Sequence, residues 1–301
     1  MDIDKIKRID LHVHTNLSDG ELSPKEVIDK AVQNQVSVIA IADHDTLEAY
    51  TEELYQYASS KNIKIICAVE ISTKIEKLGI HILGYHFDIN NQELRNRLFS
   101  IRNARHNYLY KVSAILKELG YDINIDKLDK IDAVTKAHIA LDIIENMQNE
   151  ELLLKKFGHI PTKGEFIETV MNEGCPAYVQ KEAITPKDAA KLIRKAGGKV
   201  VLAHPVAYQY EDNLTDKEIL EIVEEIQPDG IEANYIYINR YNQKINDIQK
   251  WREVAKANNL MTTIGSDFHN SDGIRPEIGL INEEVILTES EIKEMINKLE
   301  N

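Results

Sequence analysis

Arg8-Ile9-Asp10-Leu11-His12-Val13-His14 is the stretch from which the fold can be read. Apolar and polar residues alternate through it. As a β-strand it turns Ile9, Leu11 and Val13 to one face and Asp10, His12 and His14 to the other. Two imidazoles two residues apart on a strand share a face and can grip one ion. On spacing alone they equally suit two packed or exposed histidines. Six further runs have strand character: residues 36–42, 63–69, 80–85, 199–203, 230–234 and 260–265. Between and after them lie helical patterns at 24–34, 46–61, 185–196, 215–226, 241–258 and 289–299. Pro24 and Pro186 each follow a hydroxyl residue, the signature of an N-cap with proline in the first turn. Strand–helix alternation predicts parallel strands with helices outside, and a closed barrel as its form.

Two segments depart from a regular barrel. Between Glu70 and Ile80 the chain is too short for a crossover helix, so a loop or local hairpin is expected there. From about residue 90 to 174 the strand signal disappears, and helices are predicted at 92–120, 136–148 and 164–174. The expected organisation is therefore a barrel from 1–90 and 175–301 carrying the site, with a helical insertion at 91–174 leaning over its mouth. The 301 residues are 43% hydrophobic and 29% charged, an ordinary globular balance with no apolar run long enough to span a bilayer. The start of the chain has no apolar signal region, and Cys67 and Cys175 are too few and too far apart for a disulfide framework. A cytoplasmic location without membrane association is expected. The net charge of −14 argues against stable binding of duplex nucleic acid, while leaving room for a nucleotide or an RNA end in one locally cationic pocket.

Candidate ligands recur where strands end. Asp19 lies in the turn after the first strand. The second runs into Asp43-His44-Asp45-Thr46, where a flanking carboxylate can orient the histidine, and where Asp45 or Thr46 equally suits a helix cap. Glu70 follows a run rich in apolar residues, a position at which an idle carboxylate is costly. His81 and His86 flank residues 82–85, and His81 is the better candidate. The later strands deliver His204-Pro205 and Ser266-Asp267-Phe268-His269. In barrels, active sites assemble at the C-terminal ends of strands. Nine groups converge there: His12, His14, Asp19, His44, Glu70, His81, His204, Asp267 and His269. A single zinc needs three or four ligands, so nine imply two or three ions with a carboxylate such as Glu70 bridging.

These motifs, with Ser18-Asp19-Gly20, Val69-Glu70-Ile71, His81-Ile82-Leu83-Gly84-Tyr85 and Leu202-Ala203-His204-Pro205, resemble those of the PHP (polymerase and histidinol phosphatase) superfamily along nearly the whole chain. Within it the chain is similar to the stand-alone branch of nucleoside 3′,5′-bisphosphate phosphatases and a 5′–3′ RNA-trimming exonuclease. The resemblance implies a distorted seven-stranded β/α barrel with a trinuclear metal site. It implies that His12, His14, Glu70 and Asp267 hold one ion, Asp19, His44 and His269 a second, and Glu70, His81 and His204 a third. The insertion departs from the family pattern: Val134-Thr135-Lys136-Ala137-His138 stands where a Gly-Arg-Pro-His-like stretch is expected.

The expected activity is hydrolysis of a phosphate ester of a nucleotide or an RNA 5′ end by attack of a metal-bridging hydroxide. Asp43 and Asp45 are candidates to orient the leaving oxygen. Arg102, Arg105, Lys136, His138 and Lys181 are candidates for a cationic rim around a second phosphate, or else solvated surface charge. Tyr108, Tyr110, Tyr235 and Tyr237 either stack a base or pack. Mixed imidazole and carboxylate ligands suit Mn, Fe and Zn alike. A histidinol-phosphate-type phosphatase and a non-enzymatic metal-binding module are the alternatives.

Overall fold

The computed structural model of the chain describes residues 8–76, 78–131, 134–179, 184–239 and 241–301, with the backbone alone of Arg105 and His106. It comprises two compact units, Met1–Leu98 with Ala183–Asn301, and Phe99–Glu182. The expected boundaries fell somewhat earlier, after residues 90 and 174.

In the first unit β1 (Arg8–Val13), β2 (Val36–Ile41) and β3 (Lys64–Ile65) form a parallel sheet in that order. A second sheet contains β4 (Ala68–Ile75), β5 (Leu78–Tyr85), β6 (Lys199–Leu202) and β7 (Gly230–Asn234). After a short antiparallel pair, β8 (Tyr237–Ile238) and β9 (Lys244–Ile245), the strand β10 (Met261–Ile264) completes that sheet in the order β10-β7-β6-β5-β4. Single bridges join Val13 to Phe268 and His44 to Glu70. The fold is thus mixed α/β with a central five-stranded sheet, and its ladders do not make the one continuous seven-stranded barrel that was expected.

The interruptions have a physical cause. After Val13 the chain leaves the ladder to turn through Thr15 and Ser18. Between β3 and β4 the backbone breaks, and the buried Tyr50 hydroxyl fills the break: it donates to the Ile41 carbonyl and accepts from the Ala68 amide at 2.7 Å. That duty also explains why the helix expected from 46 begins only at Glu52, capped by Thr51. Asp45, at φ 53°, already turns the chain away from a helical start. Parallel pairing was expected elsewhere, with a loop or local hairpin between Glu70 and Ile80; that hairpin is present, and β5 runs antiparallel to both β4 and β6. The tight connection after Ile75 permits only a hairpin, in which Ile75 faces Leu78. Likewise the helix expected from 241 begins at Ile248, because β9 takes the preceding residues.

Capping follows the sequence closely. Ser23 with Glu26, Thr215 with Glu218 and Thr288 with Glu291 form reciprocal capping boxes, and Thr185 caps Pro186–Lys195. Ile9, Leu11, Val38, Ala40, Leu83, Tyr85 and Val201 share one core cluster. Each fully buried Val, Leu or Ile side chain there contributes roughly 1.5–3 kcal/mol. The Tyr85 hydroxyl crosses this core to the Leu11 carbonyl at 2.9 Å, tying β5 to β1.

The second unit is helical, with no strand among its described residues. The helix Gln92–Glu118 begins in the first unit and continues into it, followed by Ile125–Leu128, Lys136–Glu145, Glu150–Phe157 and Lys163–Phe166. Leu109, Val112, Leu116, Ile139, Phe166 and Met171 form its own apolar core. No helix among the described residues is long and apolar enough to cross a membrane.

Candidate metal centre

The alternation in residues 8–14 predicts one polar face, and the structure buries that face completely: Asp10, His12 and His14 are each 0% exposed. Three buried polar groups in succession require partners. Asp10 takes a structural role. Its carboxylate accepts from the Ser266 amide at 3.0 Å and the Gly279 amide at 2.7 Å, and burial pushes its pKa up to about 6 despite those bonds.

His12 and His14 turn toward Glu70, which lies inside β4 rather than just beyond a strand, as its third residue. Glu70 sits among five imidazoles. Its Oε1 is 2.9 Å from His81 Nδ1 and 3.1 Å from His204 Nε2. Its Oε2 is 3.3 Å from His12 Nε2, 3.2 Å from His14 Nε2 and 3.3 Å from His44 Nδ1. The antiparallel pairing of β5 brings His81 to this end: it sits opposite Ser72, two residues past Glu70. His204 arrives by another route. It leaves β6 at φ 24°, a strained value, and Pro205 then starts the helix Pro205–Glu211, which periodicity did not reveal.

Asp267, also in the left-handed region at φ 51°, places Oδ1 3.2 Å from His14 Nε2 and 3.5 Å from His12 Nε2. Asp19 lies 3.3 Å from His269 Nε2, 3.5 Å from His14 Nδ1 and 3.7 Å from His44 Nε2. All nine candidate ligands are therefore assembled in one cluster. Three subsets have ligand atoms mutually within 4.8 Å: His12, His14, Glu70 and Asp267; His14, Asp19, His44 and His269; and His44, Glu70 and His81.

The donor set fits divalent cations. His12 Nε2 and His14 Nε2 face each other at 3.1 Å, between carboxylate oxygens of Glu70 and Asp267. Positive charge among these groups is demanded by their electrostatics. Burial is the largest influence on His14 and opposes its charged form, yet hydrogen bonds to Asp267 and Glu70 lift its pKa to about 10. For His12 burial again opposes charge, and Glu232, Glu70 and Asp267 overcome it. Glu70, Asp267 and Asp19 are held well below the usual carboxylate range, burial notwithstanding, by the surrounding imidazoles. His44 goes the other way: burial drives it down to about 3, leaving a neutral ring with a free lone pair. Either imidazole protons or bound cations can supply the charge that the carboxylates require.

Asp43 and Asp45 stand one on each side of His44. Asp43 accepts from Thr15 N at 2.7 Å, Thr15 Oγ1 at 2.6 Å and Ser18 Oγ at 2.6 Å, and so brackets the turn that carries Asp19. Asp45 Oδ1 accepts from the Ser72 amide at 2.9 Å, clamping β4 beside His44. Arg102, Lys136 and His138 belong to the second unit. Lys136 donates to Asn172 Oδ1 at 2.8 Å, and His138 Nδ1 accepts from Thr135 N at 3.1 Å in a capping box. Lys181 and the Arg105 side chain lie outside the described residues. Tyr235 approaches the cluster, its hydroxyl 3.4 Å from Asp267 Oδ2.

One residue was missed. Glu232, on β7, is 1% exposed and contacts His12. The available signal was a lone acidic residue inside the run Gly230-Ile231-Glu232-Ala233-Asn234, whose every position is buried.

The family model of the PHP domain matches residues 10–195. A 5′–3′ exoribonuclease of Haemophilus influenzae is 30% identical over 87% of this chain and 90% of its own length. A 3′,5′-nucleoside bisphosphate phosphatase of Chromobacterium violaceum is 28% identical, covering 87% of each. Among solved structures, an amidohydrolase from Chromobacterium violaceum with bound sulfate and no metal superimposes with a TM-score of 0.72 at 26% identity, covering 91% of this chain and 90% of that one.

Proposed function

Because this chain belongs to the PHP domain family, we propose that it is a metal-dependent phosphoesterase acting on a phosphate ester of a nucleotide or on an RNA 5′ end. The observation that carries this reading is Glu70, whose two oxygens address different sets of imidazoles, as a bridging carboxylate does. The two relatives above act, by their names, on nucleoside bisphosphates and RNA.

In this reading His12, His14, Glu70 and Asp267 hold one ion, Asp19, His44 and His269 a second, and Glu70, His81 and His204 a third, with Mn, Fe or Zn as occupants. The three-stranded and five-stranded sheets, joined by single bridges at Val13 and His44, carry this centre between them. When bound, such ions lower the pKa of a coordinated water toward neutrality and offset the negative charge of a phosphate. The protein's own part is to hold the ligands in place. Tyr235 supports Asp267, Asp43 fixes the turn bearing Asp19, and Asp45 fixes the β4 segment beside His44. In this reading Asp43 and Asp45 act on the leaving oxygen only indirectly, by holding the turn that bears Asp19 and the β4 segment beside His44. The free thiols of Cys67 and Cys175 fit a reducing, cytoplasmic setting.

A phosphate-release assay of the metal-loaded protein tests the reading, with adenosine 3′,5′-bisphosphate, short 5′-phosphorylated RNA and histidinol phosphate as substrates. Release from the first or second supports it. Turnover of histidinol phosphate alone overturns the nucleotide assignment. Asp267→Ala removes a ligand outright and is expected to lower activity by more than the roughly 10–100-fold typical of changes outside the coordination sphere. Full activity in that variant would sink the cluster mechanism.

A further inference from the structure

Glu232 belongs to none of the three ligand subsets, yet both of its oxygens are engaged beside them. Its two oxygens lie 3.0 and 3.1 Å from His12 Nδ1. Its Oε2 also accepts from the main-chain N–H of His204 at 2.9 Å. The backbone of Gly265 closes over it so tightly that a Cβ there would come within 2.4 Å of Glu232 Oε1 and 2.3 Å of His12 Cβ. A carboxylate oxygen only accepts, so His12 Nδ1 must be the donor. That assignment leaves Nε2, the nitrogen facing Glu70, His14 and Asp267, to offer its lone pair to the centre.

We propose that Glu232 is a positioning residue of the metal centre, fixing the tautomer and plane of His12 and the main chain of His204 at the same time. The inference rests on the reading of the cluster as a metal centre and deepens it. One carboxylate on β7 sets a ligand from β1 and a ligand from the end of β6. It couples two edges of the site that share no ladder: β1 lies in one sheet, β6 and β7 in the other. Its reach is specific. Aspartate at 232 is one methylene shorter and could not span both His12 Nδ1 and the His204 amide from the same backbone position. Glutamine keeps an acceptor but loses the charge that holds the imidazole N–H.

The test is Mn2+ affinity, read from the free-ion signal in electron paramagnetic resonance titrations of the full chain, with circular dichroism to verify folding. Glu232→Gln is expected to bind Mn2+ about 10–100-fold more weakly than the wild type. Where that variant does not fold, Glu232→Asp is measured in its place with the same expectation. An affinity unchanged from wild type in a folded variant, even with a lowered melting temperature, would reduce Glu232 to a structural tie and overturn the inference. A second readout needs no substitution at 232. In 15N-histidine-labelled wild-type protein loaded with Zn2+, the His12 ring is expected to carry its proton on Nδ1 and the metal on Nε2, and the reverse assignment overturns the inference. If wild-type protein binds Mn2+ and releases phosphate while these expectations fail, only the role of Glu232 is lost. If wild-type protein binds no metal, the metal-centre reading and this inference fall together.

Discussion

A carboxylate with five imidazoles within about 3.3 Å of its oxygens, as at Glu70, is stable only where protons or cations share the space. Its neighbours are accordingly exacting about shape as well as charge. Gly265 is the clearest case, because its missing side chain is the room in which His12 and Glu232 meet. A methyl group there has nowhere to go, since the atoms it would meet are the stem of one ligand and the carboxylate that orients it. Gly265→Ala is expected to destabilise the fold by about 1–3 kcal/mol, the usual cost of overpacking. It should also weaken metal binding in parallel. Urea unfolding and Mn2+ titration of the same preparation check both effects. A loss of stability with metal affinity intact would show that His12 keeps its orientation without the close fit at 265.

Elements bring these residues together, and much of their arrangement is legible from the sequence. The runs at 8–14, 36–42, 199–203, 230–234 and 260–265 are strands within a residue or two at either end. The ligands His12, His14, His44, His204, Asp267 and His269 stand at or just past strand ends, where alternation and a following turn place them. Three features were not legible, each for a physical reason. Glu70 is inside β4 because the strand after Ile65 breaks and restarts, and the break is healed by the hydroxyl of Tyr50, which lies far off in sequence. The short connection after Glu70 allows a hairpin between β4 and β5, but the antiparallel pairing of β5 with β6 depends on partners that hydrophobic periodicity cannot encode. Glu232 escaped notice because a buried acid in an apolar strand reads as an exception until its partner, 220 residues away, is known. Local signals fared better: Ser23 and Thr185, the hydroxyl residues before Pro24 and Pro186, cap their helices, and Thr215 caps Asp216–Ile226 in a full box with Glu218. Thr215→Ala is expected to cost about 1 kcal/mol of stability. Because this cap contacts none of the nine ligands, phosphate release should be unchanged. A melting curve and an activity assay on the variant check the pair of outcomes, and a large fall in activity would tie this helix to the site.

At the scale of the whole molecule, the cluster makes stability depend on both metal and pH, and the two dependences have opposite signs. In protein stripped by chelator, His14 has a folded-state pKa near 10 against an ordinary 6.5. A raised folded pKa means that the folded state holds the proton more tightly, so its stabilisation is complete below 6.5 and fades as pH rises toward 10. Stripped protein should therefore become less stable from pH 7 to pH 10. Ligation requires deprotonated imidazole, so metal binding must expel that proton and becomes tighter over the same interval. Metal-loaded protein should hold or gain stability where stripped protein loses it. With free metal at 100 times its dissociation constant, the loaded protein should be more stable by about 2.7 kcal/mol. Thermal melts at pH 7 and pH 9.5, with and without Mn2+, measure both curves. Titration calorimetry in buffers of different ionisation enthalpy counts the protons released. Parallel curves, or metal binding without proton release, would mean that the imidazoles of His12 and His14 are not the groups that exchange protons for metal.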